Sequence, residues 1–508
     1  MTPLRWPGVA VIAAYLAGVR VLGFHFARRQ TSTEEYFVAR RGVPGWAMGM
    51  SLFATIITSV TFIAYPGNGY SGNWAELIPG FMAVVALAIA GAVVIPFFRR
   101  TVRMTAFEYF EQRFGRGIRS YAALAFAAVH FSKMGFVIYL VALVVHSLTG
   151  WPLPAIIAGV GLATVAYTSA GGISAVIWAD VAQVCILLTG LCLSLGYLLF
   201  LPPGGPAATL RLAWSAHKFS LGAFSWNPAV KSIGVMSVYG LSWYLQRYTA
   251  DQTIIQRYLV ARSDRDAVRG VALGSLLCVP VWTLFLLIGS LTWSFYRLTG
   301  ERLPAFVTKP DQAYPYFLST HIPSVLAGVI LAALFSSAMS GLSSDLNALA
   351  VVGVKDFYAK IRPGAGDRQL LVAGKWFVGL AGSLCTLAAL GLAQTQGAAL
   401  PLWYLASSVL AGGVLGVFCL AFFTRRANSA GTALGIAACL AFTLYAALTA
   451  GSDRLLDLGA CNFPWNSLLI GVIGHVIVVA VGFPASLFFS ARSPAISPPA
   501  AHPCPPGR

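Results

Sequence analysis

Carboxylates are scarce in this chain: Asp and Glu number 16 in 508 residues, against 34 Lys and Arg. Charged residues of every kind make up only 10% of the sequence. That excludes a soluble globular protein of this length, which needs far more charge on its surface. The basic excess of +18 gathers in no stripe and no separate folded unit, so nucleic acid is not an expected partner. The eight Cys lie scattered, mostly in apolar stretches, without a CxxC pair. They read as small buried hydrophobes rather than as a disulfide framework or a zinc site. HExxH, a Walker loop and GxSxG are all missing, and the seven His show no metal-ligand spacing. An enzyme is therefore not expected, and no feature calls for an obligate protein partner.

What the chain has is apolar length. Hydrophobic residues reach 58% and the mean hydropathy is +0.76. Thirteen segments are long enough to cross a bilayer: 6–26, 46–71, 75–98, 118–148, 153–169, 175–201, 230–250, 268–296, 323–353, 370–394, 399–424, 429–449 and 464–490. The predicted class is an all-α integral membrane protein with about 13 transmembrane helices, the lipid bilayer being its solvent. The first segment lacks a basic leader and a clear cleavage site, so it reads as a retained span. Arg and Lys concentrate in alternate loops, as in Arg99, Arg100, Arg103, Arg113 and Arg116, or Lys355, Lys360, Arg362 and Arg368. By the positive-inside rule the N-terminus is outside and the C-terminus cytoplasmic, in a plasma or inner membrane. The Pro-rich end, 491–508, is expected to be a disordered tail on a single transmembrane domain of 1–490.

Two spans carry helix breakers. AYPGNGYSGN falls near the outer end of the second, and TSAGGISAVIWAD sets a glycine pair before Asp180. Interrupted helices in matching places of two halves mark a midplane binding site in inverted-repeat transporters. By hydropathy, spans 2–6 and 7–11 make two such halves of five helices, a first repeat at 46–201 and a second at 230–424. Residues 1–45 then form an extra first helix and cytoplasmic loop, and 429–490 two C-terminal helices.

Polar residues at membrane depth are costly and functional by default. Asp180 and Asp345 lie within spans, and Asp345 ends the run Ser336, Ser337, Ser340, Ser343, Ser344. Hydroxyls and carboxylates are hard oxygen ligands, suited to a small cation. Ser337, Ser340, Gly341, Ser344 and Asp345 share one helical face at spacings of three and four. For the serines alone, close helix packing through small residues is an equal explanation. Lys133 is a lone intramembrane cation, either a structural partner of Asp180 or a ligand for an anionic substrate. His130, one turn earlier, reads as a hydrogen-bonded core histidine. Arg247 either snorkels near a helix end or faces a carboxylate substrate. Asp251 and Arg257 are expected nearer the cytoplasm, ordering a loop.

At these residues the chain resembles the sodium:solute symporter family. The resemblance spans roughly 33–425 and rests on EEYFVARRGVPGWAMGMSLFAT, TAFEYFEQRFG, GGISAVIWADVAQ, DQTIIQRYLVARS and the serine-rich ninth span ending in VKDFY. It implies a five-plus-five inverted-repeat core working by alternating access. It also implies a sodium site from the backbone carbonyls of Ala54 and Ile57 with Ser337 and Ser340, where the next family hydroxyl is replaced by Gly341. A second sodium site would take Asp180, Ser340, Ser343 and Ser344, with Asp345 as a possible substitute oxygen. Substrate positions match Thr58, Thr61, Tyr244 and Arg247, with Lys133 near the place where some members put a base for a substrate carboxylate. The expected function is sodium-coupled symport of a small organic solute, in keeping with a carboxylate. A proton-coupled symporter of the same fold, or a solute sensor that does not transport, are the alternatives.

Overall fold

The computed structural model describes residues 6–27, 32–305, 307–394, 407, 409, 410, 412–451 and 454–489. The Pro-rich tail and most of the 399–411 stretch of the eleventh expected span lie outside the described residues. Helices follow in the order α1 Trp6–Ala27, α2 Thr33–Val38, α3 Gly45–Ile56, α4 Ser59–Ser71, α5 Leu77–Thr101, α6 Phe107–Phe114, α7 Arg116–Thr149 and α8 Leu153–Phe200. After α9 Gly205–Ser215 come α10 Ile233–Ala250, α11 Gln252–Leu259, α12 Asp264–Thr299, α13 Ala313–His321 and α14 Ser324–Val352. The short α15 Ala359–Ile361 precedes α16 Asp367–Leu392, and α17 Val414–Phe423, α18 Ser429–Thr449 and α19 Leu469–Phe488 close the order.

Among the described residues, eight helices are long and apolar enough to cross a membrane, and the bent pair α3–α4 makes a ninth span. Shorter apolar helices stand at Trp6–Gly18, Leu153–Ala166 and Val414–Phe423, where further spans were expected. The expected span at 230–250 is α10.

Two breaks and one kink position the site. α3 stops at Ile56, and Ile57 (φ −83°, ψ 98°) and Thr58 (φ −109°, ψ −179°) are extended before α4 starts, with a 56° bend between the halves. The expected break at Pro66 and the glycines after it is a misreading: α4 runs straight through Pro66. Those glycines serve packing instead. A Cβ on Gly69 would stand 2.2 Å from the Leu286 carbonyl oxygen, and one on Gly289 2.0 Å from that of Pro66. Gly45, Gly49, Gly270 and Gly274 bring α3 onto α12 in the same way, backbone against backbone. The second break falls at Asp251 (φ −94°, ψ 109°), between α10 and α11. Its side chain caps α11 by accepting from the Thr253 N–H at 2.9 Å. The kink in α8 is at Gly172 (φ 60°, ψ −167°), a backbone conformation open to glycine alone. It separates the fifth and sixth expected spans and aims Asp180 at the interior.

α14 is the centre of the molecule. It packs most extensively on α8 and also meets α1, α7, α16, α3 and α4. From Ile330 to Val352 every residue of it is buried. Its serines therefore face protein, not lipid.

Candidate functional site

Asp180 of α8 is wholly buried between α3, α11 and α14. Its Oδ1 accepts from Ser340 Oγ at 2.6 Å and its Oδ2 from Ser51 Oγ at 2.5 Å. Arg257 Nη2 stands 3.4 Å from Oδ2. The same guanidinium donates to Ser344 Oγ, to Ser51 Oγ at 3.2 Å and to the Thr253 carbonyl at 2.9 Å. Ser343 and Ser344 turn their hydroxyls to the Ser340 carbonyl at 3.1 and 2.7 Å, and Thr55 Oγ1 lies 3.0 Å from Ser344 Oγ. One carboxylate and several hydroxyls thus meet in a fully buried site. Such a donor set fits a hard monovalent cation. Among the described residues no group of three or more His, Cys, Asp and Glu could hold a metal ion.

Ala54 and Ile57 are buried at the α3 break. The Ile57 N–H still bonds back to Phe53, and beyond it the ladder ends, so the carbonyls from Ala54 onward lose their helical donors. Ser337, buried on the facing helix, bonds its own Leu334 carbonyl at 2.8 Å. Gly341 sits against the break: a Cβ there would be 2.8 Å from Thr58 Cγ2 and 4.0 Å from the Thr55 carbonyl oxygen.

Asp345 does not join the serine cluster. Its Oδ2 is 2.8 Å from Lys133 Nζ, and its Oδ1 is 3.0 Å from His130 Nδ1 and accepts from Thr253 Oγ1 at 3.1 Å. His130 Nε2 lies 3.4 Å from Asp251 Oδ1, and Arg247 Nε 3.3 Å from Asp251 Oδ2. This corrects two expectations. Lys133 pairs with Asp345 rather than Asp180, because α7 meets α14 while Asp180 is already held by Arg257. Asp251 and Arg257 do not order an outlying loop: Asp251 is the second break itself, and beyond it α11 folds back into the core, where Arg257 is fully buried.

A narrow cleft is lined by His130, Lys133, Trp243, Gln246, Arg247 and Asp251, among others. It unites Lys133 and Arg247 of the expected substrate residues. Thr58 and Thr61, both buried, flank the α3 break instead, and Tyr244 packs against Trp282 and Tyr248 with ring centroids 6.1 and 6.4 Å apart. Ser51, Thr55, Thr253 and Arg257 were not foreseen as site residues. A signal existed: Asp251 after an 18-residue helix is an N-cap, and Thr253, Gln256 and Arg257 then share one face of a new helix.

Comparison with known proteins agrees with this architecture. Residues 36–438 match the sodium:solute symporter family. A sodium/sialic acid symporter of Aliivibrio fischeri is 31% identical over 476 residues, covering 92% of this chain and 91% of that one. One from Proteus mirabilis is 31% identical over 489 residues, 95% of each. The sodium/glucose cotransporter of Vibrio parahaemolyticus is 30% identical over 466 residues, 87% of this chain and 85% of that one. The fold superposes with a TM-score of 0.87 on a solved sodium-coupled sialic acid symporter in a substrate-bound outward-open state, at 29% identity and covering 96% of this chain and 99% of that one. A nucleobase-cation-symport-1 transporter shares the fold at a TM-score of 0.54 and 16% identity. The chain therefore belongs to the sodium:solute symporter family: it is a multi-pass membrane protein with an inverted-repeat core, built for sodium-coupled symport of a small solute.

Proposed function

We propose that the co-transported solute is a small organic carboxylate, held by Lys133 and Arg247. The observation that carries this is the charge balance of the core. Asp180, Asp251 and Asp345 face Lys133, Arg247 and Arg257, three carboxylates against three bases, around His130. With a neutral imidazole the cluster is balanced before any ion enters. Each sodium ion added leaves an uncompensated positive charge in a buried core, which is costly. An anionic solute offsets one such charge, so ion and solute favour each other's binding. Sialic acids, the cargo in the names of two relatives, are carboxylates and are the first candidates.

In this reading one sodium takes the Ala54 and Ile57 carbonyls with Ser337 and Ser340. A second takes Asp180, Ser340, Ser343 and Ser344. Asp345 acts as the resting partner of Lys133 and gives up the ammonium when the substrate carboxylate arrives. Thr58 and Thr61 at the break are assigned to the substrate's far end. The first repeat runs 46–201 and the second 230–424, with the N-terminus outside and the C-terminus in the cytoplasm of a plasma or inner membrane.

The test is thermal stabilisation of the purified protein by sialic acids, other sugar acids and short monocarboxylates, each beside its uncharged analogue, in sodium and in potassium. A carboxylate should stabilise in sodium and not in potassium, and its neutral analogue in neither. Equal binding of the neutral analogue, or binding indifferent to sodium, overturns the proposal.

A further inference from the structure

We propose that Arg257 is a tethered stand-in for the sodium ion at Asp180: it holds that carboxylate and Ser344 while sodium is away, and must release them when sodium binds. The inference rests on the assignment of Asp180 and Ser344 as sodium ligands and adds the residue that competes for them.

The geometry is that of two claimants to one set of oxygens. Ser344 Oγ donates to the Ser340 carbonyl, meets Thr55 Oγ1 at 3.0 Å and accepts from Arg257 Nη2. One of its two lone pairs is taken by Arg257, so a metal ion at this oxygen would have the guanidinium as its immediate neighbour. Asp180 Oδ1 is held by Ser340, whereas Oδ2 is shared between Ser51 and Arg257. A guanidinium and a sodium ion on that one oxygen would be two positive charges a few ångströms apart in a fully buried site, where repulsion is screened weakly.

The Arg257 contact is built to give way. At 3.4 Å it is a single loose contact, not the bidentate fork that locks arginine to a carboxylate. Nη1 keeps a separate anchor on the carbonyl of Thr253, in its own helix. α11 is only eight residues long and begins at the Asp251 break. The guanidinium can therefore leave Asp180 without leaving its helix. The same helix lends Thr253 Oγ1 to Asp345, the partner of Lys133. The ion site and the Lys133 pair thus share α11 as a common neighbour.

The experiment is a sodium titration of the detergent-purified full chain at constant ionic strength, with choline as the replacement cation, read by melting temperature and by calorimetric binding. Arg257→Gln should raise apparent sodium affinity by about tenfold or more, since a competing charge is gone. It should also make stability depend on sodium, because Asp180 is left without a counter-charge. If the Gln variant does not fold, Arg257→Lys serves: it keeps a positive charge but loses the planar fork that reaches Ser51, Ser344 and Asp180 from separate nitrogens, and a smaller rise in affinity is expected. Unchanged or weakened sodium binding in the folded variant overturns the proposal. Asp180→Asn, run in parallel, separates the two levels. If it removes sodium response while Arg257→Gln fails to enhance it, the competition falls and the site stands. If it leaves sodium response intact, both fall.

Discussion

Gly341→Ser tests the cation site and its packing together. A Cβ at 341 would sit 2.8 Å from Thr58 Cγ2, while the next atoms are at 3.7 and 4.0 Å. One methyl group is in the way. Forcing an atom into a filled core costs about 1–3 kcal/mol, so the single variant should melt lower than the parent. The new hydroxyl would lie near the Thr55 carbonyl, beside the break that exposes the Ala54 and Ile57 oxygens. One added neutral ligand is worth about 1 kcal/mol, roughly fivefold in affinity. Thr58→Ser deletes the obstructing methyl and keeps the hydroxyl that the substrate would meet. Gly341→Ser with Thr58→Ser should therefore recover the parent's stability and bind sodium several-fold more tightly. The assay is melting temperature against sodium concentration for the parent, both singles and the double. A double variant no more stable than Gly341→Ser would refute the steric argument. A relieved double with unchanged sodium response would show that no ion is bound at the α3 break.

Two further outcomes follow from charged pairs. Lys133→Met strands Asp345 with only His130 and Thr253, and should cost about 3–5 kcal/mol as a broken buried pair does; Lys133→Met with Asp345→Asn should regain most of that stability in a melting assay without regaining carboxylate binding. Outside the membrane, Glu111 of α6 meets Lys360 Nζ at 2.7 and 2.8 Å and also Arg119. Burial pushes its carboxyl up, but these bonds outweigh it and hold it below the usual range. The stabilisation is full above the unfolded Glu value of about 4.3 and fades as pH falls through the lower folded value. Glu111→Gln should flatten the acid limb of the melting-temperature profile, and an unchanged limb would count against the pairing.

Much of the site was legible because membrane burial makes polar residues conspicuous. Asp180 and the face Ser337, Ser340, Ser344 stand out against apolar neighbours, and the structure does bring Asp180 to Ser340. Partners across helices were not legible. Spacing along a chain says which residues share a face, not which face a distant helix offers, so Lys133 was matched to Asp180 instead of Asp345. The breaks misled in opposite ways. Pro66 and its glycines looked like an interruption, yet a membrane helix tolerates proline when neighbours satisfy its backbone, and here the glycines are contact surfaces. The true break at Ile57–Thr58 has no Gly or Pro, so local propensity does not mark it, and only the resemblance pointed to the Ala54 and Ile57 carbonyls there. Arg257 was hidden by its own charge, which reads as a loop until the Asp251 cap turns α11 inward.

The glycine seams on α12 have a mechanical consequence. Gly45 and Gly49 fix α3 to one stretch of that helix, at Gly270 and Gly274, while Gly69 fixes α4 to a later stretch near Gly289. Both arms of the broken span are thus seated on one 36-residue helix, α12, on either side of its Pro280. Any change in the angle at Ile57–Thr58 would shear two backbone-on-backbone contacts that have no slack. The serine-bearing α14 grips α3 and α4 far less than α12 does, so of the two seams that flank the ion site the one with α14 is the weaker.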